Sequence, residues 1–132
     1  MEKYEEIQNK NEQIIKKFEA YLNKKGESKK GIAKHLDNIH LLINDYLAID
    51  FEVKPTETDS FQIEEFLNWC IDKWILNTPT ELISILNSIK IFFEYLPCHN
   101  NPKEKKEILQ ICEKKDYYLK RFDSQEKILN EY

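Results

Sequence analysis

The residues able to do chemistry in this 132-residue chain are few and scattered. Cys98 and His99 are neighbours just before Pro102, and Cys70, Cys112, His35 and His40 complete the soft metal ligands. A zinc site needs spacings such as C-x-x-C or H-x-x-x-H that bring ligands to one point, and neither occurs. His35 and His40 stand five apart, about 140° around a helix, so they cannot chelate one ion together. There is no glycine-rich phosphate loop and no nucleophile elbow, and Glu64, Glu65 and Asp72 read as isolated surface acids. These patterns predict no enzyme, no metal, no cofactor and no small-molecule substrate.

Charge suggests a second kind of chemistry. The net charge is −4, the wrong sign for a free-standing DNA binder, because neutralising phosphates with Lys and Arg dominates such affinity. The distribution is uneven. Residues 1–34 hold nine lysines against six acidic residues, whereas residues 35–100 hold three lysines against eleven. The basic maximum includes Lys24, Lys25, Lys29, Lys30 and Lys34, which are candidate phosphate contacts. Only Arg121 is an arginine, so the bidentate fork that reads phosphate or guanine is missing. Binding through such lysines would be weak, indifferent to sequence and strongly salt-dependent; the alternative is an ordinary solvated face.

The elements that would position these groups are helical. Hydrophobic residues make up 41% and charged residues 33%, with two glycines and four prolines, which predicts one globular domain of long helices and short loops. Helix one is expected from about Glu2 to Asn23, with Ile7, Ile14, Phe18 and Tyr21 on one stripe. Gly26 breaks the chain and Ser28 caps helix two, whose face is Ile32, Leu36, Ile39, Ile43 and Tyr46/Leu47, ending near Ala48. Thr58-Asp59-Ser60 offers caps for helix three, with a buried stripe of Ile63, Phe66, Leu67, Cys70, Ile71 and Trp74. Thr78-Pro79-Thr80-Glu81 starts helix four, which is apolar nearly all round to Leu96 and so central to a bundle. Asn101-Pro102-Lys103-Glu104 repeats that signal for a fifth helix carrying Ile108, Cys112, Leu119 and Phe122, expected to break near Asp123-Ser124.

Two stretches resemble the N-terminal core-binding domain of tyrosine recombinases and phage integrases. One is Phe18-x-x-Tyr21-Leu22, then Ser28-Lys29-Lys30-Gly31-Ile32-Ala33-Lys34-His35, closing on Tyr46-Leu47. The other, Leu86-Asn87-Ser88-Ile89-Lys90-Ile91-Phe92-Phe93-Glu94-Tyr95-Leu96, is similar to the family's L-S-A-L-R-x-F-F-x-Y-L. The resemblance covers roughly residues 14–96. It implies an all-α fold, a compact bundle of four SAM-like helices, with residues 101–132 as a C-terminal helix or helix pair packing back on it. It also implies that Lys90, standing for the family's arginine, is a candidate DNA contact. Gly31 and His35 stand where the family tends to have threonine and tyrosine. The recombinase reaction needs two arginines and a tyrosine nucleophile in a second domain, so this chain is not expected to catalyse it.

What is left is binding. Trp69 falls off the helix-three stripe, beside Glu65 and Asp72. Either the fifth helix covers it with Tyr117, Tyr118 and Phe122, or it anchors a partner. Leu41, opposite the buried face of helix two, poses the same choice. The expectation is a non-catalytic module that binds another protein or its own copy, with weak DNA binding in a phage or mobile-element setting as the alternative. The start of the chain lacks a signal-peptide pattern, no apolar run spans a bilayer, and three cysteines suit a reducing compartment, so the cytoplasm is expected.

Overall fold

The second to fifth helices each begin where a side chain can accept free backbone N–H groups. The computed structural model describes residues 3–130, which form helices and loops with no strand among them. Helix α1 spans Lys3–Lys24; the expected start at Glu2 lies outside the described residues, as do residues 131–132 of the C-terminal extension. In α2 (Lys29–His40) the Ser28 hydroxyl accepts the Gly31 N–H at 3.0 Å. Asp59 and Gln62 close a reciprocal capping box on α3 (Ser60–Asp72). Thr78 caps α4 (Pro79–Tyr95) and Asn101 caps α5 (Pro102–Cys112), each with proline in the first turn.

The two glutamates expected to close boxes act further afield. The Glu81 carboxylate accepts the N–H of Asn77, just before the cap. Glu104 leaves its own helix and accepts the Ser60 N–H at 2.7 Å, while Glu107 accepts the Ser60 hydroxyl at 3.1 Å. The first turns of α5 therefore satisfy the start of α3. His99 ties the same corner: its Nε2 donates to the Thr58 carbonyl at 2.6 Å and its Nδ1 accepts the Asn101 N–H at 2.9 Å.

Helix two does not stop near Ala48. It continues as a π-helix over Leu41–Phe51 and closes on Glu52 in a left-handed conformation. The cause lies on α1. Gln8 Nε2 donates to the Asn44 carbonyl at 3.0 Å, and Asn11 Nδ2 donates to the Ile43 carbonyl at 3.1 Å and to Asn44 Oδ1 at 2.8 Å. Donors from a neighbouring helix draw these carbonyls out of the usual ladder, and the turn widens to keep its remaining bonds. The wider turn buries Leu42, Ile43, Asn44, Tyr46, Leu47 and Ala48 almost consecutively.

The core forms around α4, which packs on α2, α5 and the last helix and touches α1. Phe18 meets Phe92 edge-on at 5.2 Å, and Tyr95 lies 4.7 Å from Tyr21, so the two aromatic motifs of the sequence pack on each other. The C-terminal extension breaks well before the expected Asp123-Ser124, between Cys112 and Lys115, giving α5 and a separate α6 (Lys115–Asn130). A continuous helix would bury Leu119 on the face of Cys112. The break rephases the chain, so Tyr118 and Phe122 are buried and Leu119 only half.

Candidate functional site

Five of the six lysines singled out as phosphate contacts form one corner. Lys24 and Lys25 end α1, Lys29, Lys30 and Lys34 start α2, and all five are exposed. None joins an ion pair among the described residues; Lys25 Nζ lies 5.3 Å above the Tyr21 ring. Gly31 keeps the corner tight, since a Cβ there would stand 3.1 Å from the Ser28 hydroxyl. Lys90 is not part of this group. It sits 2.8 Å from Glu113 of the α5–α6 junction, whose hydrogen bond and charge raise its pKa.

His35, Cys70 and Cys112 are absorbed internally, whereas His40 and Cys98 are exposed. His35 is half-buried with Nδ1 2.7 Å from the Ser88 hydroxyl, which also accepts from Asn38 at 2.9 Å. Burial pushes the thiols of Cys70 and Cys112 up, the latter to about 12, so neither supplies thiolate at neutral pH. Among the described residues no three His, Cys, Asp or Glu side chains are placed to hold one metal ion. No helix there is long and apolar enough to cross a membrane.

His35 and Glu104 each contribute to how stability responds to acid. Desolvation lowers the His35 pKa below 6.5, with Glu27 opposing, so the folded state resists protonation. That contribution is complete above pH 6.5 and declines as pH falls below it. The Glu104 pKa is held below its ordinary 4.5 by the hydrogen bonds from Ser60, so its contribution is present above pH 4.5 and is lost as pH falls through the folded value. Thermal melts from about pH 8 down to about pH 3 should therefore show a decline beginning near 6.5 and a further one below 4.5. Glu104→Gln should flatten the lower limb; an unchanged limb would show that Ser60 does not depend on that charge.

The tryptophans exchange the roles expected of them. Trp69 is half-buried, its ring 4.9 Å from Tyr46 of the π segment and 6.0 Å from Phe66, so the continuation of helix two packs on it. One turn from Phe66, it sits on the flank of the buried face. Trp74, expected in the buried stripe, lies past the end of α3 and is 39% exposed. Its backbone is left-handed, φ +57°. The Ile75 N–H bonds the Cys70 carbonyl at 3.0 Å and the Trp74 N–H bonds that of Ile71 at 3.4 Å, the Schellman pattern.

The same pattern ends α1, where the Glu27 N–H bonds Leu22 and the Gly26 N–H bonds Asn23, and there the left-handed residue is glycine at φ +84°. A bulky side chain in this conformation costs roughly 1–2 kcal/mol. Trp74→Gly should therefore cost less than about 1 kcal/mol despite deleting an indole, because relief of the backbone offsets lost contacts. Gly26→Ala should cost about 1 kcal/mol, although open space surrounds it. Paired urea melts of the two variants test this; a loss of several kcal/mol for Trp74→Gly would make the ring a core element.

Next to Trp74 the chain lines a shallow groove. Ile75 (38% exposed) and Leu76 form one wall, Leu41 and Ile85 add apolar surface, and Lys34, Asp37, Asp45 and Glu81 rim it. Leu41 is half-buried here, against the core on one side and the groove on the other. Comparison with known protein families, curated proteins and solved structures finds no match for this chain. Periodicity marked Leu41. It misplaced Trp74, because nothing local to residues 70–76 announces a left-handed C-terminus without glycine.

Proposed function

We propose that this protein is a non-catalytic binding module that engages a protein partner through the surface around Leu41, Trp74 and Ile75. The observation that carries this reading is Trp74: a tryptophan occupies a left-handed position that glycine fills more easily, it is 39% exposed, and the residues that follow it, Ile75 and Leu76, line a shallow groove of mixed polarity. Tryptophan is among the residue types on which binding energy concentrates once a partner covers them. The three free cysteines suit a reducing compartment, and we place the protein in the cytoplasm on that basis. The likeness to recombinase core-binding domains supports a shared scaffold. His35 bonded to Ser88 and Lys90 paired with Glu113 weigh against a shared DNA-contacting face.

A photo-crosslinking residue in place of Ile75, in the cells that make the protein, tests the reading against the same residue at exposed Lys127. A discrete adduct from position 75 alone supports it. Adducts from neither position, or equally from both, would overturn it.

The exposed lysine corner favours a second reading, weak duplex binding. It requires a mobility shift at about 50 mM salt and micromolar protein that disappears near 200 mM. Charge reversal at Lys24, Lys25, Lys29 and Lys30 should abolish that shift; no shift at low salt removes this reading.

A further inference from the structure

The groove lies on a stripe whose charges are ordered. Lys30, Lys34, Asp37 and Leu41 fall within about 60° of one another around the helix, opposite the buried pair Ile32 and Ile39. Lys34, Asp37, Leu41 and Asp45 line the groove together, so the stripe continues into the π segment. Read along the chain it is basic at Lys30 and Lys34, and from there on acidic at Asp37 and Asp45 with apolar Leu41 between them. Among the described residues Lys30, Lys34 and Asp37 join no ion pair, and Asp45 has only His40, at 3.7 Å.

We infer that this stripe is a two-fold interface with a second copy of the same chain; the inference rests on the binding-module reading and names its partner. A two-fold axis makes a surface meet itself antiparallel, so residue i faces j while j faces i. A helix basic at one end and acidic at the other is complementary to itself in that arrangement alone. An axis midway between positions 34 and 45 sets Lys34 of each copy against Asp45 of the other. It also brings the two Leu41 side chains together beside Ile75, which is 38% exposed. Parallel pairing would set like charges in register. A basic partner would meet Lys30 and Lys34, and an acidic one Asp37, Asp45 and Glu81. The stripe from Lys30 to Asp45 runs about 20 Å, enough for a small interface whose affinity is modest and weakens with salt.

The test is a charge exchange read by light scattering. Wild-type protein at low salt should rise from 16.0 kDa toward twice that mass with concentration. Lys34→Glu alone and Asp45→Lys alone should each weaken association at least about tenfold, since each turns two attractive pairs into repulsive ones. An equimolar mixture of the two variants should associate again. In the mixed dimer the introduced glutamate of one copy faces the introduced lysine of the other, and the unchanged Lys34 and Asp45 still meet. Lys120→Glu, off the stripe on α6, should behave as wild type, and circular dichroism should show every variant folded. A wild-type mass fixed at 16.0 kDa, single variants that dimerise normally, or a mixture that stays monomeric would each overturn the inference. The crosslink from position 75 separates the two readings: an adduct other than a doubled chain keeps the binding module and discards the second copy.

Discussion

Replacing Asn11 by aspartate is expected to destabilise the protein by about 3–5 kcal/mol at neutral pH, although the side chains have nearly the same shape. Asn11 is fully buried, and its amide donates both to the Ile43 carbonyl and to Asn44 Oδ1. A carboxylate there meets two acceptors with none of the donors it needs. Among the described residues Asn11 Oδ1 itself has no hydrogen-bond partner, so none of them offers a donor there. Burial would raise the pKa of the new acid above its unfolded value near 3.9. A raised folded pKa makes stability fall as pH rises above the unfolded value, so the variant should be least impaired below about pH 4. Denaturant melts at about pH 4 and about pH 7 measure both parts. A variant within about 1 kcal/mol of wild type at neutral pH would show that the α1 amides do not hold the π segment.

Phe92→Ala should also cost about 3–5 kcal/mol. Phe92 is fully buried, edge-on to Phe18 at 5.2 Å and to Phe93 at 5.3 Å, where α4 meets α1. Truncation removes transfer free energy and opens a cavity between helices that cannot close over it. A domain of this size is typically stable by roughly 5–15 kcal/mol, so the variant loses a large share. Phe61, 59% exposed on α3, is the control: its alanine variant should stay within about 0.5 kcal/mol. Equal losses at the two positions would mean that the core is not centred on α4.

Much of the fold was legible. Ser28, Thr78 and Asn101 cap the helices they were expected to cap, and the apolar circumference of the fourth helix predicted its central place. Of the candidate residues, the exposure of the five lysines at the α1–α2 turn was legible, because it depends on which face of one helix a residue takes. Trp69 and Trp74 were not. Their fates depend on where α3 ends and on Tyr46 reaching across from another helix.

Sequence by itself determined that the chain is helical, where α2 to α5 start, most of the inner faces of the first four helices and the separation of basic from acidic segments. These follow from contacts within a turn or two of chain, where residue type and spacing are sufficient. Tertiary structure decided the rest: Asn11 with Ile43, His35 with Ser88, Ser60 with Glu104, and the end-to-end order of charge around Leu41. Periodicity says that a side chain points inward or outward. It does not say which group, far along the chain, will be there to meet it.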